Sequence, residues 1–409
     1  MMAINDRKAH GTQIPATRGM VRRGHLDTTD VRTDGLVVVS THADEPGAAV
    51  AQIAAAIEGV TLAGGLVFCS YRYDRDKLAA ALAGLMPESP LFGCTSAGEV
   101  GARGYDSDSI VFIGFPADTF DLTVLPFADL DRFEPEQARK AVRQTAAQAR
   151  DRAHRKLGED LSHVAMVLVD GLSHREELLT MTAQEALGEI DLVGGSSGDG
   201  LTFSDTGVFF DGQFHRDAAV IGLLSSSRAM HVFSANHYSP GAERMVITEA
   251  NAETRTVFEI NAAPAAEEYM RLVGEPGGSL DMSFCASHPL MVRTGGAYHV
   301  RSIQSVNPDG SITFYCAIDR GVVMTIGEHK DRIAQMQEAF AGAGAKVGEI
   351  DHVIAFDCVL NRIDAQSRQL GHQVAGLYED NRVVGFNTYG EQFRAAHVNQ
   401  TFTGLVVGR

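Results

Sequence analysis

LFGCTSAGEV, residues 91–100, reads as a short apolar strand that runs directly into a turn of small residues. The upstream sequence places it in a helix-covered sheet. Gly65–Cys69 (GLVFC) is a second apolar run of strand length, and Asp74–Leu85 between them has the length and composition of a helix. Strands and helices that alternate in this way mark an α/β domain. Further out, Gly35–Ser40, Ser109–Phe115 and Asp121–Leu125 read as strands, and Pro46–Gly59 and Pro135–His154 as helices.

The same order then recurs. Val164–Val169 is a strand, Arg175–Leu187 a helix, and Asp191–Gly200 (DLVGGSSGDG) again a strand entering small residues. Laid over each other without a gap, Leu66–Glu99 and Val167–Gly200 place Leu78 on Leu179, Leu91 on Leu192, Gly93 on Gly194 and Ser96 on Ser197, the pattern of an internal duplication. Val208–Phe210 and Ala218–Leu224 follow as strands. Beyond them the character changes. Met230–Asn261 alternates like an antiparallel sheet, Pro264–Val273 is helical, and Asn307-Pro308-Asp309-Gly310 is a hairpin turn between Tyr298–Ser305 and Ser311–Ala317. A helix over His329–Ala341, a strand over Val353–Phe356, a helical stretch near Asp364–Tyr378, and strands at Val383–Phe386 and Thr401–Val407 close the chain. The fold class is therefore α/β: two mixed α/β domains of layered sheets and helices, the second richer in antiparallel strands. The expected division is a flexible N-terminal tail (1–33), a first domain (34–235) and a second (236–409).

At 409 residues the chain exceeds what one hydrophobic core usually supports. Its net charge of −17 disfavours a nucleic-acid or anionic-membrane partner, because phosphate binding relies on clustered Lys and Arg. The local exception is the N-terminal stretch carrying Arg7, Lys8, Arg18, Arg22 and Arg23. No signal peptide and no run of eighteen apolar residues is present, so the expectation is a cytoplasmic protein without membrane insertion. The five cysteines form no CxxC pair, and Cys69, Cys316 and Cys358 sit in apolar runs as core thiols.

Three groups of residues could carry chemistry. The small-residue turns offer backbone N–H groups and hydroxyls to a ligand at Cys94, Thr95, Ser96, Gly98 and Glu99, and at Gly195, Ser196, Ser197, Gly198 and Asp199. Equally, such turns arise where layers meet and only small residues fit. Neither ends in the Gly-Lys-Ser/Thr of a phosphate loop. Gly194–Gly198 formally satisfies G-x-S-x-G, but no helix follows Ser196 as a nucleophile elbow requires, so a serine hydrolase is the weaker alternative and no catalytic residue is expected. The second group is Asp357, Arg362, Asn387, Tyr389 and Glu391, at strand ends that could line one opening, with Asp357 and Arg362 either clamping a zwitterion or pairing internally. The third is His397, His288 and His237, each a lone histidine outside any metal-binding spacing.

FGCTSAGEV, VGGSSGDG, VITEANAETRTVFEINAAPAAEEY (Val246–Tyr269) and NTYGEQF (Asn387–Phe393) together resemble the FIST sensory module, with its N-terminal and C-terminal FIST domains, over roughly residues 35–395. Ala262 and Ala263 stand where Gly-Lys is usual in that family. The resemblance implies an intracellular ligand sensor in bacterial signal transduction, working with histidine kinases, chemoreceptors or cyclic-dinucleotide enzymes, with amino acids or related metabolites among the suggested ligands. No kinase or cyclase segment accompanies it here, so the partner, a histidine kinase or cyclic-dinucleotide enzyme, is expected in trans; a homo-oligomer is compatible with the sequence. The ending FDCVLNR, NTYGEQF and HVNQTFTG is similar to the haem-binding, nitric-oxide-sensing (NosP-type) subgroup. That similarity implies haem b as a candidate cofactor, with His397 the first candidate for the iron and His288 and His237 behind it.

Overall fold

The computed structural model describes residues 30–32, 35–278, 280–294 and 296–409; most of the basic N-terminal stretch therefore lies outside the described residues. After a short strand β1 (Asp30–Arg32), the chain builds one pattern three times. The first copy is β2 (Val37–Thr41), α1 (Pro46–Ala56), β3 (Leu62–Ser70), α2 (Arg75–Ala83), β4 (Leu91–Ser96), the hairpin β5 (Glu99–Gly101) and β6 (Gly104–Asp106), and β7 (Ile110–Pro116). The second is β8 (Phe120–Phe127), α3 (Pro135–Leu157), β9 (Ser162–Val169), α4 (Glu176–Leu187), β10 (Asp191–Ser196), the hairpin β11 (Val208–Phe210) and β12 (Gln213–His215), and β13 (Ala219–Ser226).

The third copy opens with β14 (Met230–Ala235) and is then interrupted by residues 238–329. These comprise β15 (Tyr238–Asn251), β16 (Thr256–Ile260), β17 (Ala263–Pro264), α5 (Ala265–Val273), α6 (Met282–Ser287), β18 (Leu290–Thr294), β19 (Ala297–Arg301), β20 (Ile303–Val306), β21 (Ile312–Phe314) and β22 (Val323–His329). The third copy resumes with α7 (Arg332–Val347), β23 (Ile350–Cys358), α8 (Val359–Ser367), α9 (Gly371–Asp380), β24 (Val383–Thr388), the hairpin β25 (Glu391–Phe393) and β26 (Ala396–Val398), and β27 (Phe402–Gly408). The helical stretch expected near Asp364–Tyr378 is thus two helices, the first starting at Val359.

In every copy the second and third strands are parallel and flank a helix, and the last strand lies antiparallel between the first and second. The hairpins are exchanged in a circle. β5 pairs with β24, β25 with β10, and β11 with β4, so each copy's hairpin extends the sheet of another. The inner faces of the three sheets meet in one core containing Leu66, Phe68, Met166, Leu168, Ile354 and Phe356. The alternate residues face outward beneath two or three helices each: Val67 under α1 and α2, Val167 under α3 and α4, Val353 and Ala355 under α7, α8 and α9. Burial on both faces is why these strands are unbroken apolar runs. Phe68 meets Phe386 at 4.4 Å and Phe356 at 6.3 Å between ring centroids, joining the first and third sheets. The insertion folds on its own core (Met245, Ile247, Val257, Tyr269, Phe314) as an eight-stranded, wholly antiparallel sheet, with the expected hairpin at Asn307–Gly310 between β20 and β21. No helix among the described residues is long and apolar enough to cross a membrane.

Candidate functional site

β4, β10 and β24 end side by side around the axis of the threefold pattern, bonded in a ring. Thr95 N–H donates to Gly207 O (2.9 Å) and Thr95 O accepts from Gly198 N–H (3.1 Å). Ser196 N–H donates to Gly390 O (2.8 Å) and Ser196 O accepts from Tyr389 N–H (3.2 Å). Asn387 N–H donates to Gly98 O (2.7 Å) and Asn387 O accepts from Ala97 N–H (2.9 Å). Thr95, Ser196 and Asn387 are therefore equivalent, and the two small-residue turns share one location with a third. Small residues are required because backbone meets backbone: a Cβ on Gly198 would lie 2.8 Å from both the Ala97 methyl and its nitrogen. The hydroxyls are engaged in the same way, Thr95 Oγ1 by Gly207 N–H (3.1 Å) and Ser197 Oγ by Gly171 N–H (3.2 Å). Cys94 is enclosed in the common core, where burial pushes its thiol well above the usual range.

Buried carboxyl groups brace this ring. Glu99 accepts from Ser109 N–H (3.2 Å) and Oγ–H (3.1 Å), and Glu391 from Thr401 N–H (3.1 Å), each ten residues ahead. Each also contacts a hydroxyl three residues back, Ser96 or Thr388. Asp199 instead organises its own loop, accepting from the N–H groups of Phe203 (2.9 Å), Ser204 (2.8 Å) and Asp205 (2.7 Å) and from the Tyr389 hydroxyl. These bonds outweigh its burial and hold the Asp199 carboxyl below the usual range.

Burial raises Glu99 to about 7, against the pull of Ser96 and Ser109. A carboxyl whose pKa is raised by folding gives stability that is fully present below the unfolded value of 4.5 and is lost as pH rises through about 7. Glu99→Gln, which imitates the protonated acid, is expected to flatten that loss, which is worth about 1.4 kcal/mol per pKa unit. Urea midpoints at pH 5 and pH 8 check this; parallel slopes in both proteins would mean that Glu99 is ionised throughout.

Asp357 and Arg362 do not face each other as a clamp. Asp357, fully buried, accepts from Tyr105 (2.6 Å), Tyr378 (2.8 Å) and Asn361 Nδ2 (2.9 Å), and lies 3.9 Å from Arg332. Arg362 donates to Asp106 O (2.6 Å), Ser107 Oγ (2.7 Å) and Asn387 Oδ1 (3.2 Å), fastening the first copy's β5–β6 hairpin region to the third copy. Beside it opens a cavity of about 210 Å³ lined by Ser40, His42, Tyr105 and Asp106.

A group of open polar atoms lies elsewhere, where the third copy's β25–β26 hairpin meets the insertion and the second copy. Gln392 Nε2 donates to Ser196 Oγ (2.9 Å) and to His397 Nδ1 (3.0 Å). Burial lowers the His397 pKa against the pull of Glu177 and Glu176, so the ring is neutral and this bond leaves the proton on Nε2. That Nε2–H is buried with no partner, as are Gln392 Oε1, Asn399 Nδ2 and the Tyr315 hydroxyl. His397 Nε2 and Asn399 Nδ2 converge: they lie 2.8 Å and 3.0 Å from the place a Cβ on Gly390 would take. Around them stand charged groups. Arg255, 3% exposed, donates to Glu176 (2.7 Å) and Glu177 (2.7 Å) and contacts the Tyr315 carbonyl, and Arg301 reaches His397 O (3.3 Å). Burial raises Glu176; Glu177 is lowered despite its burial, the Arg255 guanidinium and the Ala317 N–H among the groups that pull it down.

Among the proposed iron ligands, His288 caps α6 by bonding Phe284 O (3.0 Å) and stacks on Phe284 at 4.4 Å. His237 lies at the base of the insertion. His397 presents its one open nitrogen to Gly390 inside a closed interface, and cavities of about 360, 460 and 510 Å³ are lined by other residues. The arrangement therefore does not fit a haem on His397. Ser196 sits fully buried with Gln392, not a base, on its hydroxyl, and the chain continues from β10 through a loop to β11 without a helix.

Gln392, Asn399, Tyr315, Arg255, Arg301, Glu176 and Glu177 were not singled out by sequence. One signal was available: Thr388-Tyr389-Gly390-Glu391 answers Ser96-Ala97-Gly98-Glu99, marking a third turn. In comparison with known proteins, the model of the FIST N domain matches residues 63–263 and that of the FIST C domain residues 265–394. No curated protein matches the chain. Among solved structures, a cyanuric acid hydrolase from A. caulinodans is similar over 92% of this chain and 99% of that one, at 12% identity and a TM-score of 0.35, a likeness too weak to bear on chemistry.

Proposed function

The chain belongs to the FIST family, whose domains serve small-ligand sensing in signalling proteins, and from that premise we propose that it senses a small, carboxylate- or carbonyl-bearing polar metabolite of the amino-acid class. The ligand binds where the third copy's β25–β26 hairpin lies between the insertion and the second copy, a seam that parts to admit it. The observation that carries this reading is the set of three buried polar atoms without partners on His397, Gln392 and Asn399. An unmet buried donor or acceptor costs about 1–3 kcal/mol, so three within one cluster call for a molecule that meets them. Two of the atoms are fixed donors and one is a fixed acceptor. That inventory suits an oxygen-rich group carrying at least one N–H or O–H of its own. Arg301 adds positive charge beside them, while Arg255 is taken up by Glu176 and Glu177.

The seam joins two parts of the protein, so a ligand there changes how firmly they are held together. A histidine kinase or cyclic-dinucleotide enzyme in trans would read that change. Thermal unfolding against a panel of amino acids and small carboxylates tests the reading. At least one compound is expected to raise the midpoint, since saturation at a hundredfold over Kd adds about 2.7 kcal/mol. Gln392→Met and Asn399→Ala are each expected to weaken its binding at least tenfold. A panel without effect, or a shift unchanged in both variants, would sink the proposal. So would a stoichiometric Soret band, lost in His397→Ala, which would establish haem instead.

A further inference from the structure

The chain crosses between the third copy and the insertion twice. His237 precedes β15, His329 ends β22, and at that neck Tyr238 pairs directly with His329. Asp364, on α8 of the third copy, faces both histidines. His237 Nε2 lies 3.9 Å from one oxygen of Asp364 and His329 Nε2 3.9 Å from the other. One ligating atom from each residue falls within 4.8 Å of the other two. His237 and Asp364 are 4% and 0% exposed, yet His237 Nε2 and Asp364 Oδ2 make no hydrogen bond. A buried imidazole nitrogen and a buried carboxylate oxygen thus face each other at a distance too long for a hydrogen bond.

We propose that His237, His329 and Asp364 bind a divalent transition-metal ion of the zinc class, which pins the insertion to the third copy. Two imidazoles and a carboxylate are a ligand set that such ions accept, with water in the fourth position. Ligand distances of about 2.0–2.2 Å put neighbouring donors roughly 3.3 Å apart in a tetrahedron, a contraction that side-chain rotation supplies. Two present contacts oppose the ion. His329 Nε2 must release Ser287 O (2.8 Å), and Arg368, now 2.6 Å from His329 Nδ1 and 3.9 Å from Asp364, must withdraw. Arg368 is 39% exposed and has solvent to move into. It is a competing cation, so its removal favours the metal. Arg332, the other nearby cation, is held by Asp357, Tyr105 and Asn361 and stays in place.

Tag-free protein stripped with a chelator and titrated with Co²⁺ tests this through the visible absorption of the ion. The expected result is one equivalent bound with tetrahedral bands, displacement by Zn²⁺, and a higher unfolding midpoint. His237→Ala and His329→Ala each reduce affinity at least tenfold, and Arg368→Ala increases it. Asp364→Asn, which keeps the side-chain shape, serves if a histidine variant does not fold. Failure of the wild-type protein to take up Co²⁺, or uptake unchanged in His237→Ala or Asp364→Asn, overturns the proposal.

Discussion

Gly194→Ala is expected to abolish the folded state, and Gly93→Ala and Gly385→Ala to do the same at positions far apart in the chain. Each glycine sits in the third strand of its copy, opposite the second: Val67 pairs with Gly93, Val167 with Gly194, and Ala355 with Gly385. A Cβ at any of them would overlap the carbonyl oxygen of that partner, which is backbone at the centre of a sheet. No flexible side chain stands there to yield. The cost should exceed about 4–5 kcal/mol, the upper end for single substitutions, against a total stability of about 5–15 kcal/mol. Soluble yield and urea unfolding provide the measurement. Gly342→Ala in α7, where nothing lies within 4 Å of the new methyl, is the control and should stabilise by up to about 1 kcal/mol. Unequal outcomes at the three sites, with one tolerated, would contradict the threefold equivalence.

Arg255→Met is expected to cost about 3–5 kcal/mol, because it leaves Glu176 buried without its partner. Glu176 is 1% exposed and already raised by burial, with Arg255 as the main opposing influence. Without the guanidinium its folded pKa rises further. The folded variant then holds a proton that the unfolded chain releases above 4.5, so its deficit is smallest near pH 5 and grows toward pH 8. Urea midpoints at those two values read this directly. A loss below about 1 kcal/mol, or one independent of pH, would show that the bridge does not hold the seam.

Much of the threefold body was legible in the sequence because its strands are buried on both faces and its helices are amphipathic. The first two copies share one order of elements, and the gapless overlay sets Gly93 on Gly194, which face their partner strands alike. It is off by one in the preceding strand, where Val67 and Val167 occupy the same register, so one residue of difference is absorbed between the paired strands. The third copy was hidden because residues 238–329 separate its first strand from the rest, and a bulky Tyr389 stands where the other turns carry Ala97 and Gly198. The exchange of hairpins was illegible too: Glu99–Gly101 looks like a continuation of β4 but pairs with β24.

The polar turns were found as a group, but their bonding partners were not, and without them a self-satisfied ring looks like a ligand site. The seam was harder still. Gln392 meets Ser196 across 196 positions of sequence and Arg255 meets Glu176 across 79, with nothing local in either segment to announce the contact. Of the residues weighed beforehand, His397 does lie in the seam, where its open nitrogen suits a hydrogen-bonding ligand better than a metal-bound porphyrin.

The most direct test is a crystal structure of the protein with a compound that raises its unfolding midpoint. The compound should lie in the seam, accepting from His397 Nε2 and Asn399 Nδ2 and donating to Gln392 Oε1. A ligand in the cavity beside Tyr105 and Asp106, or on the outer face of the insertion near Arg244 and Tyr298, with the seam unchanged, would contradict the account.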